Sequence, residues 1–521
     1  MPTDLALAVS FSALAIILAS AYLKLRSSNK HLPLPPGPKR LPLVGNLFDL
    51  PSKSQRPWEV YTGWSEKYNS EIIHLDVLGT PIIILSSLEM AEELLQNRSL
   101  IYSDRPRSTM LNELVGGDFL FRESVLFWVF KSLMSLVAFM SYGEVWRKQR
   151  RLFHQEFQPQ ACRRFRNQER KNAHALLRNI LDGPDQFIQH VQHAVSSTMM
   201  SIAYGIDCTP GDPYILGAER ALEAMRSAAV PGKFLVDIIP ALKHIPNWFP
   251  GATFKRQAAD WKRQVQNMVE APFQFAKSLV DAGVNRQCFV SSTLSAMDDT
   301  TERNWAESDI KHVAGTMYSG GTDTTRLSVL WFIQAMVKFP EVQKIAQEEI
   351  DTVLKHGHLP EFEDEDSLPY ASAIVKEVLR WRPVDVFNGY RIPAGSIVTA
   401  NIWGMLHDDA VYPDPETFRP ERFLRGNKIN ADVADPEAAF GFGRRACPGR
   451  YMACDAIWII VVSMLSMFDI TKAMDEDGKE IEVSSGFMTD LGLGPVPFKC
   501  SIKPRSREMA DLIRSTEAIY N

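Results

Sequence analysis

Cysteine is scarce in this chain. Six residues, Cys162, Cys208, Cys288, Cys447, Cys454 and Cys500, are scattered over 521 positions with no C-x-x-C pair, which argues against a zinc site or a redox dithiol. Such low usage suits a domain facing the reducing cytosol. A basic field is also missing. Net charge is -5 with both signs interspersed, so the electrostatic footprint of nucleic-acid binding is not there. No Gly-rich dinucleotide fingerprint follows a strand pattern, so electrons for any redox step have to come from a separate protein. After residue 40 there is no Gly/Ser-rich or Pro-rich linker, no internal repeat and no low-complexity tract. One large domain is the reading, although the length alone would allow two or three. What is present is 45% hydrophobic residues, enough for a large core and far too much for a disordered chain.

The N-terminus holds the one long apolar run. Leu5 to Leu23 has about the length that crosses a bilayer as a helix. Asp4 precedes it, and Lys24, Arg26 and Lys30 follow it, a charge order that places the rest of the chain in the cytosol. A cleaved signal peptide would want a basic start and a shorter apolar stretch. Residues 1–30 are therefore expected to be a membrane anchor and residues 31–521 the working domain. Between them, Pro35-Pro36-Gly37-Pro38 cannot be helical and reads as a stiff hinge.

Glu71 to Leu85 alternates and carries Gly79-Thr80-Pro81 midway, the pattern of a hairpin. From Glu89 onward the periodicity is mostly helical. A long helix is expected from about Ser308 to Lys338, stopping before Pro340. Its centre holds Gly320-Gly321, which costs roughly 1 kcal/mol per glycine against alanine. Either a flat ligand comes close there, or the helix widens locally, or another helix packs tightly. A further helix covers Tyr370 to Trp381, with short strands around Tyr390–Ile392 and Ile397–Ala400. A helix from about Gly449 and a final β-like segment close the chain. The fold class is mainly α with a small β portion.

The strongest signal is Phe440-Gly-Phe-Gly443-Arg-Arg445-Ala-Cys447-Pro-Gly449. Its glycines allow sharp turning and close approach to a ligand. Pro448 suits a first helical position, which would put Cys447 at a helix N-terminus, where backbone N–H groups stabilise a thiolate. A thiolate on haem iron pushes electron density toward the metal and favours O–O cleavage. Arg445 could pair with a haem propionate. Glu377 and Arg380 lie on one helix face at i,i+3. Arg147, Lys148, Arg150 and Arg151 form a basic cluster that could meet an acidic electron donor or be a solvated face.

The cysteine segment resembles the haem-binding loop of the cytochrome P-450 family, and other motifs agree in order. Gly320-Gly321-Thr322-Asp323-Thr324 resembles its oxygen-activation motif, Glu377-Val-Leu-Arg380 its E-x-x-R pair, and Pro420-Glu421-Arg422-Phe423 the segment whose Arg completes an ionic triad. Trp146-Arg-Lys-Gln-Arg150 resembles the helix whose Trp and Arg contact a haem propionate. The resemblance covers essentially the whole chain and is nearest to fungal microsomal members, including those labelled O-methylsterigmatocystin-oxidoreductase-like. It implies the cytochrome P-450 fold behind an N-terminal transmembrane helix, and haem b with Cys447 as axial ligand. Arg445, Trp146, Arg150, Phe440 and Gly441 would complete the cofactor site. Thr324 and Asp323 would deliver protons, and Glu377, Arg380 and Arg422 would form the structural triad. It further implies electrons from an NADPH-cytochrome P-450 reductase and dioxygen as oxidant. The substrate would be an apolar small molecule of secondary metabolism, and the location the endoplasmic reticulum membrane, single-pass, with the catalytic domain in the cytosol.

Two departures stand out. Leu120 to about Val137, with Val125-Leu-Phe-Trp-Val-Phe130, is an apolar insertion where relatives pass almost directly from Phe119 to Ala138. After Arg382-Pro383-Val384 about a dozen residues are missing, including a strand beside the haem and a basic propionate partner. The alternative to an active monooxygenase is thus a folded but inactive pseudoenzyme, or a mis-assembled gene product lacking that strand.

Overall fold

The computed structural model describes residues 33–520 except 53–54, 117–139, 231, 285, 299–306, 355–357, 384–395, 485 and 488–493. The expected anchor, the apolar insertion, the Tyr390–Ile392 strand and the shortened segment after Val384 lie outside the described residues.

The hairpin forms as β1 (Ile72–Val77) against β2 (Thr80–Leu85), antiparallel with Val77 opposite Thr80. Its turn residues are Leu78 and Gly79, both at positive φ, the geometry of a two-residue turn matched to strand twist. Thr80 and Pro81, read as turn residues from the sequence, already belong to the strand. The Pro-rich stretch lies along this hairpin, with His74 N donating to Pro36 O at 2.9 Å. Gly37 is needed there, because a Cβ would sit 2.1 Å from the His74 carbonyl oxygen.

The helices that position the site are α1 (Glu144–Phe157), α2 (Arg166–Asp182), α3 (Phe187–Tyr204), α4 (Pro213–Ala229), α5 (Thr253–Asp281), α6 (Glu307–Lys338) and α7 (Pro369–Trp381). β3 (Ile397–Ala400) then returns to pair parallel with β2, in register from Ile82–Ile397 to Leu85–Ala400. α8 (Arg450–Met467) follows the cysteine loop and leads into β4 (Phe468–Lys472), which pairs with β5 (Cys500–Pro504). The chain continues into α9 (Arg507–Ser515), so the final segment is not β throughout, as the sequence had suggested.

α6 runs through the middle, against α3, α5, α8 and α1. Its C-terminal stretch from Leu327 to Val337, including Trp331, Phe332 and Ile333, is buried with Val191, Ile374 and Val461. α8 is apolar on all faces, as a helix enclosed by protein should be. Among the described residues it is the one helix long and apolar enough to cross a membrane, and it is mostly buried inside the fold.

Candidate active site

The loop before α8 is shaped by two glycines. Gly441 sits at φ 73, ψ -169, a region essentially reserved for glycine. Gly443 has φ +55, and a Cβ there would lie 2.1 Å from the Leu95 carbonyl oxygen. The loop is tied back on itself by Cys447 N donating to Phe440 O at 2.7 Å. Cys447 is half-buried. Burial pushes its thiol up, while a backbone hydrogen bond from Gly449 and the Arg150 and Arg450 guanidinium groups pull it down. One expectation needs correction. α8 starts at Arg450 with Gly449 as its cap, so Pro448 is not the first helical residue and Cys447 stands two positions ahead of the cap. The groups that favour the thiolate are one backbone N–H and two arginines, and burial outweighs them, so the thiol stays above its ordinary value.

α1 closes the loop from the other side. Arg150 donates to the Ala446 carbonyl oxygen. Trp146 is buried, and the Arg445 guanidinium lies over its ring at 4.3 Å. Arg445 also donates to Ser103 O and Met140 O, each at 2.8 Å. Of the basic cluster, Lys148 is held by Asp309 at 2.7 Å, whereas Arg147 and Arg151 face solvent.

The two central glycines of α6 divide the readings between them. Gly321 packs tightly: a Cβ would lie 2.7 Å from the Met199 side chain of α3. Gly320 is exposed and has nothing within 4 Å of such a Cβ. The helix stays α-helical through both, without widening. Thr316, Ser319, Gly320, Asp323 and Thr324 remain accessible, and at 3.6 residues per turn they share an arc of about 140°, with the partly exposed Gly321 and Arg326 just beyond its two edges. Thr324 Oγ1 donates to Gly320 O at 2.8 Å. Asp323 is ion-paired with Arg226 of α4 and lies 3.9 Å from Arg326. Arg226 carried no signal in the sequence, because it meets Asp323 across 97 positions.

The E-x-x-R pair is closed by two hydrogen bonds. Arg380 Nε and Nη2 donate to Glu377 at 2.7 and 2.8 Å, with both side chains fully buried. Arg422 Nε lies 3.1 Å from the same carboxylate. Unforeseen is the Arg419 backbone N–H, which also donates to Glu377 at 2.8 Å.

A half-buried thiol flanked by arginines, and a small-residue face open in mid-helix, match what a flat iron-bearing group with acidic edges requires. The comparisons with known proteins agree. The cytochrome P450 family model matches residues 35–501. The chain is 42% identical to cytochrome P450 monooxygenase 98 of Postia placenta, over 95% of each chain. It is 41% identical to tryptamine 4-monooxygenase of Psilocybe cyanescens, over 91% of this chain and 94% of that one. It is 42% identical to cytochrome P450 monooxygenase ple1 of Rhodocybe pseudopiperita, over 92% and 91%. The chain therefore belongs to the cytochrome P450 family, haem-dependent monooxygenases that use dioxygen and a redox partner to oxidise small molecules.

Proposed function

We propose that this protein is an anchored monooxygenase of the endoplasmic reticulum membrane, with residues 1–30 spanning once and residues 31–521 in the cytosol. It binds haem b through Cys447 and hydroxylates an apolar small molecule with electrons from an NADPH-cytochrome P-450 reductase. The observation that carries the reading is the loop geometry: a thiol two residues ahead of a helix cap, beside Gly449 N–H, Arg150 and Arg450. A bound haem supplies activation of dioxygen, one atom going to substrate and the other leaving as water after two electrons and two protons arrive.

The chain's own residues provide the rest. Cys447 binds as a thiolate, which the surrounding cations favour. Phe440 and Gly441 fix the sulfur by holding the loop closed. Arg150, Arg445 and Trp146 form the cationic, aromatic wall that suits propionate carboxylates. Thr324 Oγ1 keeps free lone pairs on the accessible face and passes protons that Asp323 takes from water. Exposed Arg147 and Arg151 offer an acidic reductase a landing charge. The tryptamine 4-monooxygenase among the relatives makes indole amines sensible members of a first substrate screen. No observation favours the inactive-protein reading.

The test is the spectrum of the reduced, carbon-monoxide-bound protein. The wild type is expected to give a thiolate-type Soret band and Cys447→Ser to lose it, since a hydroxyl is a far weaker donor to iron. An unchanged band in Cys447→Ser, or no haem in the wild type, overturns the proposal.

A further inference from the structure

A polar cleft lies between α2 and α3 and holds none of the candidate active-site residues. Its volume is about 130 Å³, room for roughly four waters at about 30 Å³ each in the liquid. Lys171, Arg178 and Asn179 line it from α2, His193 and Ser197 from α3, and Asp207 from the chain just after α3. Lys171 and Arg178 are seven residues apart, which returns them to one helix face with about 10.5 Å of rise between them.

Charge in this cleft does not balance. Lys171 Nζ lies 3.0 Å from Asp207 Oδ1, and Arg286 Nη1 lies 3.5 Å from the other oxygen of the same carboxylate. Arg178 has no carboxylate partner among the described residues. It donates to Thr516 Oγ1, which leaves most of its N–H groups unused. Three cations thus share one anion. The next carboxylate, Asp212, is taken up in capping α4, where it accepts from Tyr214 N at 2.8 Å. The remaining titratable groups add no charge. Burial holds the His193 ring below its ordinary value, so it is neutral at pH 7, and burial pushes the Cys208 thiol beside it up to about 12. Ser197 is buried with its hydroxyl 3.3 Å from His193 Nε2, and the Asn179 carboxamide makes no hydrogen bond to the described residues.

We infer that this cleft binds a phosphate-type oxyanion, with the Arg178 guanidinium and the Lys171 ammonium as its charged contacts and the Asn179 amide as a neutral donor. Paired guanidinium N–H groups match two oxygens of such an ion, and charge-assisted bonds of this kind are the strong ones. Donors spread over two turns of one helix suit a tetrahedral ion better than a planar carboxylate. Free phosphate and a small phosphate monoester share this chemistry.

The experiment is equilibrium dialysis of the full-length protein against radiolabelled inorganic phosphate at fixed ionic strength. The wild type should take up one phosphate per chain, saturably. Arg178→Gln should weaken uptake about ten- to hundredfold, the worth of a hydrogen bond to a charged group. Thr516→Val, which removes the partner of Arg178 and leaves the cation, should keep uptake, as should Lys344→Gln, whose lysine is exposed elsewhere. Far-ultraviolet circular dichroism checks that each variant is folded. Should Arg178→Gln not fold, Lys171→Gln reads the same contact, with a loss of about threefold expected for a half-exposed cation. Displacement of the label by glycerol phosphate as readily as by unlabelled phosphate assigns the site to a monoester, and displacement by phosphate alone assigns it to the free ion. No saturable uptake in the wild type below about 10 mM overturns the inference. So does unchanged uptake in the folded Arg178→Gln or, in its place, Lys171→Gln, and so does displacement by acetate as readily as by phosphate.

Discussion

Glu377 gathers four hydrogen bonds on a fully buried carboxylate, and its removal is a demanding test of the packing argument. Its carboxylate is fully buried and accepts from Arg380 Nε and Nη2, from Arg422 Nε and from the Arg419 backbone N–H. Arg380 in turn donates to Leu406 O at 2.9 Å and Pro415 O at 2.8 Å, so it cannot turn away without orphaning those carbonyls. Glu377→Gln keeps the shape but removes the charge and points an amide N–H2 at two guanidinium groups. Losing one partner of a buried ion pair costs about 3–5 kcal/mol, a fifth or more of the roughly 5–15 kcal/mol that holds a typical domain together. Urea unfolding of the full-length protein, followed by far-ultraviolet circular dichroism, should therefore show a midpoint lowered by that free energy divided by the slope, with the slope itself unchanged. Asp432→Asn provides the control, because its 3.0 Å pair with Arg425 is exposed on both sides and should be worth less than about 1 kcal/mol. If the two substitutions cost the same, the claim that burial makes this triad matter is wrong.

Three other outcomes are expected. Thr324→Ala should retain haem but lower product formation by about 100-fold, the scale of a positioned proton donor, with electrons diverted to peroxide; product and peroxide yields per NADPH check this, and full coupling would reduce Thr324 to an ordinary helix residue. Gly443→Ala should destabilise by at least about 2 kcal/mol, from its left-handed backbone and the clash with Leu95 O; a thermal midpoint equal to wild type would refute the loop argument. Glu169, buried on α2 with neither oxygen partnered, has its carboxyl pushed well above the usual range by burial and then by Asp455. The unfolded chain ionises it from about pH 4.3 upward while the folded chain resists, so the fold loses stability as pH rises through that window. Glu169→Gln should accordingly gain on the wild type between pH 5 and 8, and a flat difference across that range would show that the group ionises freely.

The sequence by itself determined whatever rests on local spacing and backbone chemistry. The bounds of α6 and α7 follow from periodicity and from Pro340 and Pro369, the hairpin from alternation, and the Glu377–Arg380 contact from a three-residue step along one helix face. The shape of the cysteine loop was legible because glycine tolerates backbone that other residues do not. Tertiary structure decided what depends on partners far along the chain. Gly320 and Gly321 look alike in sequence, yet Met199 from α3 fills the space beside one and leaves the other open. Asp323 gains Arg226, and Glu377 gains Arg422 and the Arg419 backbone, only when separate elements pack. The start of α8 moved past Pro448 because hydrogen bonding within the packed loop, with Cys447 tied to Phe440, overrode the preference of proline for a first helical turn.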